Sequence, residues 1–343
     1  MVIVINTIST SESNQYEEAL SQTNSLDETL LLLTSQPKRQ YTEQEIEEAR
    51  GNLALMNDRV FLVTFIDNKN NHIVKGIADA VRKIHNLGPI PPIEQTRVQD
   101  LSLFDVLGRG MIGDLKGFGK LISIAIEAQK QKQDGYAVRG TLTASNAMRI
   151  NFNAGENYAD APDAITINIL DFRLPELKNR KMFCSRIVRA EYETKETFLA
   201  EKYSEYYIEM PKMNDYTKAE LPKEYHDLWD LCCIFRAKIK EQEEVIRMQA
   251  VTNPIALELS NEVRKTVSSN DFVNDTLNRK NELDQLKIYI QQREQQREQK
   301  AVEKMLIMAL QSNAPSFVIE TMRKGAGITE SRLAELREQA QMA

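Results

Sequence analysis

The segment Ile122 to Gln129 leaves the backbone little choice. Ile122, Ile124, Ile126 and Ala128 alternate with Ser123, Ala125, Glu127 and Gln129. Side chains of an extended strand point to opposite faces in turn, so the isoleucines share one face and Glu127 and Gln129 the other. Gly117 and Gly119 stand just upstream and predict a turn to a preceding strand. With the turn centred between Lys120 and Leu121, Asp114 falls opposite Glu127; a slip of one residue would flip the faces.

Around this hairpin the chain alternates between types. Strands are expected over 111–116, 121–128 and 164–172, with a helix over 135–152 between the last two. That order predicts an α/β domain whose last strand joins by a crossover. Further strands are expected over 183–193 and 204–210. Thr42, three residues before Glu45, is a capping-box signature for a helix running to about Leu55. Ile73, Ile77, Val81 and Ile84 recur at helical spacing, and Leu87-Gly88-Pro89 stops that helix. Residues 88–97, with three prolines, read as a connection. Val60 to Ile66, VFLVTFI, is a strand by propensity, although a short apolar run also fits a buried helix face.

Three regions follow. Residues 1–44 form an N-terminal arm that is partly disordered, with one short helix near Leu30 to Leu33. Residues 45–220 carry the α/β domain. Residues 221–343 are helical, and QQREQQREQK at 291–300 favours a long helix with a solvated face or a coiled coil. The 343 residues include 3 Cys and 3 His without metal-binding spacing, so structural zinc and a disulfide framework are not expected. No apolar run is long enough to span a bilayer, and no signal peptide is evident, so a cytoplasmic protein is expected. The net charge of −6 gives no whole-chain basic footprint, so any nucleic-acid binding must come from local patches.

Asp114 and Glu127, if adjacent, repel each other unless a cation sits between them. Hard oxygen ligands with open positions suit Mg²⁺ or Mn²⁺. Such an ion activates water and stabilises charge on a phosphoryl oxygen, which is phosphodiester chemistry. A merely solvated strand face is the competing reading. Lys116, Lys120, Lys130 and Lys132 cluster here, either as edge-strand lysines that discourage aggregation or as phosphate contacts. Residues 173–189 hold Arg173, Lys178, Arg180, Lys181, Arg186 and Arg189 against Glu176, either as a solvated surface or as a backbone-binding patch. Arg139 either pairs with a carboxylate or touches phosphate. His72 and His85 read as surface histidines, and Trp229 as a packing anchor.

Several motifs together resemble the PD-(D/E)XK nuclease family transposases, the recombination-promoting nucleases. Asp114 followed by Glu127-Ala128-Gln129 is similar to the Asp…Glu-x-Gln variant of the nuclease motif. Asn57-Asp58-Arg59-Val60-Phe61 with Phe65 resembles the family's opening segment. Arg139, Gly155-Glu156-Asn157-Tyr158, the strand from Ala164 to Phe172, and Tyr207 to Lys212 follow in the family's order, and the tail from Ser316 resembles its closing helices. The resemblance implies a restriction-endonuclease-like core, a mixed sheet flanked by helices, with an α-helical C-terminal extension. It implies a Mg²⁺- or Mn²⁺-dependent DNA endonuclease linked to recombination or transposition. Asp114 and Glu127 would hold the metal, with the main-chain carbonyl of Ala128 completing the shell. Gln129 would take the place of the usual lysine, and Asp58 would be the acidic residue of the first helix. Lys116, Lys120, Lys130 and Arg139 would contact DNA. The resemblance also makes 60–66 helical. Leu62, Thr143, Asn146 and Asn151 depart from the family's pattern, and a degenerate copy acting through DNA binding or assembly is the alternative. Self-association through the C-terminal helices is expected; a membrane or an organic cofactor is not.

Overall fold

The computed structural model describes residues 38–342, except 67, 99–114, 120, 133–134, 151–156, 158–159 and 198–201. The expected N-terminal arm lies almost wholly outside the described residues, as does Asp114. The chain divides into a compact unit over 39–277 and a second unit whose described part is Lys38 and 278–342.

The larger unit opens with α1 (Glu43–Asn52), closed at its start by the expected Thr42–Glu45 capping box. Next comes α2 (Asp58–Phe65). Here the β-branched run expected to favour a strand is helical, as the resemblance implied. The Asn57 carboxamide accepts from the Arg59 and Val60 amides and starts the helix. Val60, Phe61, Thr64 and Phe65 then fall on one buried stripe. Tertiary burial, worth about 1.5–3 kcal/mol for each large apolar side chain, outweighs β propensity. Helix α3 (Asn71–Ile84) is strongly amphipathic.

Six strands form one sheet: β1 (Gln95–Val98), β2 (Leu115–Gly119), β3 (Ile122–Gln129), β4 (Asp163–Leu170), β5 (Cys184–Ile187) and β6 (Tyr203–Glu209). Their order is β1-β2-β3-β4-β6-β5. β3, β4 and β6 are mutually parallel, while β1, β2 and β5 pair antiparallel at the flanks. Helix α4 (Tyr136–Ile150) makes the crossover from β3 to β4. This is the expected mixed sheet flanked by helices.

Four expectations need correction. β1 ends the segment read as a proline-rich connection. The strand expected over 183–193 stops at Ile187. The described part of the strand expected over 111–116 begins at Leu115 and runs on to Gly119. Gly117 and Gly119 therefore do not make the turn; they lie inside β2, opposite Ile124 and Ile122. A Cβ on Gly119 would lie 2.5 Å from the Pro92 carbonyl oxygen, and one on Gly117 would press on Ile93. Close approach of the 90–93 segment, not turn geometry, is what selects glycine there.

Four more helices follow: α5 (His226–Arg236), α6 (Gln242–Met248), α7 (Pro254–Val267) and the 42-residue α8 (Asn270–Gln311). The last begins in the larger unit. Although the sequence reading places 221–343 in a separate region, α5 and α7 share one apolar core with the sheet. Ile122, Ile124, Ile126, Ile165, Ile167 and Ile169 meet Phe61, Phe65, Leu231, Phe235 and Leu259 there. Trp229 is buried in the same core, edge-on to Phe183, as a packing anchor. In the second unit, α9 (Ser316–Gly325) and α10 (Glu330–Met342) pack on the end of α8 around Leu306, Ile319, Ile328, Leu333 and Leu336.

Candidate active site

One sheet face is apolar; the other is not. Glu127 on β3 stands beside Asn168 on β4, and Asn168 beside Tyr207 on β6. Two residues back in each strand lie Ala125, Thr166 and Glu205. Asn168, Thr166, Glu127 and Glu205 are all buried. Helix α4 covers this polar face, packing on β3, β4 and β6. Gly140 lets it come close: a Cβ there would sit 2.4 Å from the Tyr207 hydroxyl oxygen.

The Glu127 carboxylate is wholly buried and held from α4. The Thr143 hydroxyl donates to Oε1 at 2.6 Å, a short bond of the kind an ionised acceptor makes. Arg139 Nε lies 3.3 Å from Oε2. The Tyr136 hydroxyl stands 3.5 Å from Oε2 and 3.2 Å from Asn168 Oδ1, so its one proton is shared between two acceptors. Asn168 Nδ2 in turn donates to the Tyr206 carbonyl at 3.1 Å. Burial pushes the Glu127 carboxyl above its ordinary value, and Arg139, Thr143, Tyr136 and Lys116 pull it back only in part. Lys116 lies opposite Ala125 and hence on the same face. Burial lowers its ammonium pKa, against the attraction of Glu127.

Glu205 forms a second buried acidic centre. Tyr203 donates to its Oε1 at 2.8 Å, and Tyr207 to its Oε2 at 2.7 Å. Burial, reinforced by Glu205, pushes the Tyr203 hydroxyl up to about 12 and the Tyr207 hydroxyl higher still. Both tyrosines thus act as protonated donors over the accessible pH range.

The structure therefore brings Glu127, Arg139 and Lys116 together, with Gln129 on the same strand face and half-buried. Ala128 points the other way, into the apolar core. Lys130 and Lys132 are exposed. Lys120, Asn151 and the Asn146 side chain lie outside the described residues, as does most of the Gly155 to Tyr158 motif. Asp58 is exposed at the first position of α2, where its charge favours the helix N-terminus. Helix α2 packs on the isoleucine face, whereas Glu127 points to α4. The described strands pair Leu115 with Ile126, the register that the expected turn at 120–121 requires. Of the two histidines expected at the surface, His72 lies 2.9 Å from Glu258, whereas His85 is half-buried, its ring tilted against Tyr206 and its pKa lowered by burial.

A family model described as PD-(D/E)XK nuclease family transposase matches residues 56–269, well over half the chain. The chain belongs to this family. No curated protein and no solved structure matches it significantly.

In this PD-(D/E)XK chain, Thr143 has a clear local task. It holds Glu127 directly. The sequence reading missed Tyr136, Asn168, Glu205, Tyr203 and Tyr207. A signal was present: Thr166 and Asn168 are period-two polar interruptions in the otherwise apolar run 164–170, and Glu205 with Tyr207 repeats that spacing in β6. No group of three or more His, Cys, Asp or Glu side chains able to hold a metal occurs among the described residues. The Glu127 carboxylate and the Gln129 amide oxygen, on one strand face, are oxygen donors of the kind a hard cation takes, although Arg139 and Thr143 already engage the carboxylate. No described helix is long and apolar enough to cross a membrane.

Proposed function

We propose that the chain is a Mg²⁺- or Mn²⁺-dependent DNA endonuclease, acting in recombination or transposition. The buried Glu127 carries the reading: it shares its sheet face with Lys116 and is met by Arg139 from α4. Asp114, Glu127 and the Ala128 carbonyl would hold the ion, which would supply an activated water and stabilise charge on the phosphoryl oxygens.

The chain's own residues do the rest. Gln129, being neutral, orients the attacking water by hydrogen bonding and takes no proton. Arg139, held beside Glu127, presents its planar fork to a phosphate. Lys116 adds positive charge where negative charge grows on the phosphate. Lys120 and Lys130 would contact the DNA backbone, whereas Asp58, on the helix that packs against the opposite sheet face, has no part in the site. Pairing of two copies through the C-terminal helices would let both strands be cut.

One observation favours the alternative of a non-enzymatic DNA-binding or assembly protein. Both Glu127 oxygens are already engaged by Thr143, Tyr136 and Arg139. The two readings separate on supercoiled plasmid at low salt with Mg²⁺, Mn²⁺ or EDTA. Wild type is expected to nick with either metal, and Asp114→Ala and Glu127→Gln to fall to the EDTA level. Equal nicking by all three proteins, or none by folded wild type, would sink the nuclease reading.

A further inference from the structure

The most basic stretch of the chain, residues 173–189, lies outside the Glu127 site. It leaves β4 at Leu170 and forms one wall of a groove of about 470 Å³. Arg173, Lys178, Arg180 and Lys181 line the groove, together with Lys212 and Tyr216. Asp215 is the only acid among the lining residues, and it is taken by the Arg173 guanidinium at 2.8 and 3.0 Å. Lys178, Arg180 and Lys181 are exposed, and none has a side-chain partner among the described residues. Three cations thus face solvent with their charge uncompensated, on a chain whose net charge is −6.

A buried ion pair holds this wall in place. Lys212 and Glu209 are both almost fully buried and bonded to each other. Glu209 Oε1 accepts from the Leu174 amide at 2.8 Å, and Lys212 Nζ donates to the Leu177 carbonyl at 2.9 Å. One carboxylate and one ammonium therefore grip the two ends of the short turn Pro175–Leu177. A buried pair is an expensive way to gain stability, since desolvation offsets much of the attraction. Its effect here is to fix the loop that presents the three free cations.

The groove is also linked to Glu127. Because β3, β4 and β6 are parallel, their C-terminal ends share one edge of the sheet. Gln129 and Leu170 are opposite each other there. Phe172 meets the ring of Tyr136 edge-on at 5.6 Å, and Tyr136 bonds toward Glu127. Tyr136, Leu170, Leu174, Leu177 and Tyr207 form one small apolar cluster beneath. The basic wall and the candidate catalytic carboxylate are therefore built on the same packed unit.

We propose that this groove binds the phosphodiester backbone of the DNA flanking the cleaved bond, through Lys178, Arg180 and Lys181, on a turn pinned by Glu209 and Lys212. The assignment deepens the nuclease reading and rests on it for the identity of the polyanion. Backbone contacts position a duplex without reading its sequence. Each such contact releases counterions and steepens the salt dependence of binding by about 0.9 in log–log slope.

The test measures binding of a fluorescent duplex of mixed sequence between 50 and 200 mM salt, in EDTA so that cleavage plays no part. Wild type is compared with Lys178→Ala/Arg180→Ala/Lys181→Ala, and with Lys240→Ala/Arg247→Ala/Lys265→Ala as a charge-matched control. The groove variant should flatten the slope by about 2 to 3, and the control should leave it unchanged. Lys212→Met, with circular dichroism to confirm folding, should weaken binding although Lys212 is buried. Equal slopes for wild type and the groove variant, equal loss in the control, or no binding by wild type would each overturn the proposal. Nicking is scored separately. An inactive wild type whose slope still depends on the three cations loses the chemistry and keeps the groove. An active enzyme indifferent to the three cations keeps the chemistry and loses the groove.

Discussion

At the scale of single residues, Glu127 carries opposed demands. Burial raises the free energy of its ionised form, and Thr143, Tyr136, Arg139 and Lys116 offset this only in part, so its carboxyl titrates above its ordinary value. A carboxyl raised on folding binds its proton more tightly in the native state. Its contribution to stability is therefore fully present below the unfolded value and is lost as pH rises through the folded one. Glutamine cannot titrate, so Glu127→Gln removes this slope. In EDTA, the melting temperature of the variant should gain on wild type as pH rises from about 4 toward neutrality, and the difference should then level off. A difference that stays flat with pH would show that Glu127 titrates normally in the folded chain. The same side chain illustrates how site residues are read. Alternation along 122–129 was enough to put Glu127 and Gln129 on one face. It could not reveal Glu127's partners, because Tyr136, Arg139 and Thr143 come from a crossover helix without strong periodicity.

At the scale of elements, the seat of α4 decides how the polar face is closed. Gly140 lies against the Tyr207 hydroxyl, which is itself held by Glu205. Gly140→Ala gains helix propensity worth about 1 kcal/mol, but it forces the helix off the sheet. Overpacking of this kind typically costs about 1–3 kcal/mol, so net destabilisation in urea titrations is expected, with reduced nicking because Thr143 and Arg139 move together. Tyr207→Phe in the same chain removes the nearest atom and should restore part of the loss. A double variant no better than the sum of the singles would show that the hydroxyl is not the obstacle. Elements also show where local signals suffice. The capping box at Thr42 and the amphipathic stripe of α3 were legible because helix ends and helix faces are coded by neighbouring residues. The 60–66 helix contradicted its own β-branched composition, because Asn57 caps it and the core buries Phe61 and Phe65. Strand β1 has four residues and takes its partner from β2, so nothing local marks it. Gly117 and Gly119 misled for a related reason: glycine serves tight packing as well as turns, and only the 90–93 segment, distant in sequence, distinguishes the two.

At the scale of the whole molecule, each unit has an apolar core of its own, and the two differ in size. The larger one unites the isoleucine face of the sheet with α2, α3, α5 and α7. The smaller one joins the end of α8 to α9 and α10 around Leu306, with Arg332 clamped on Glu303 at 2.8 and 3.0 Å. A core this small buries a smaller share of its chain's surface and has less stability to lose. Trp229, the single tryptophan, lies in the larger core, so its fluorescence reports on that unit, whereas far-ultraviolet circular dichroism also reports the helices of 278–342. Two-state unfolding requires both probes to coincide. We expect them not to: ellipticity should begin to fall at lower urea than the tryptophan signal. Leu306 is completely buried, and Leu306→Ala should remove about 2–5 kcal/mol from the smaller unit. The early ellipticity loss would then move to lower urea, while the Trp229 midpoint stays in place. If self-association runs through the C-terminal helices, the same variant should sediment as a smaller species under conditions where Trp229 still reports a folded sheet. Probes that coincide in wild type and shift together in Leu306→Ala would mean that the two cores unfold as one, and that the helical end is a structural part of the nuclease unit rather than a separable assembly element.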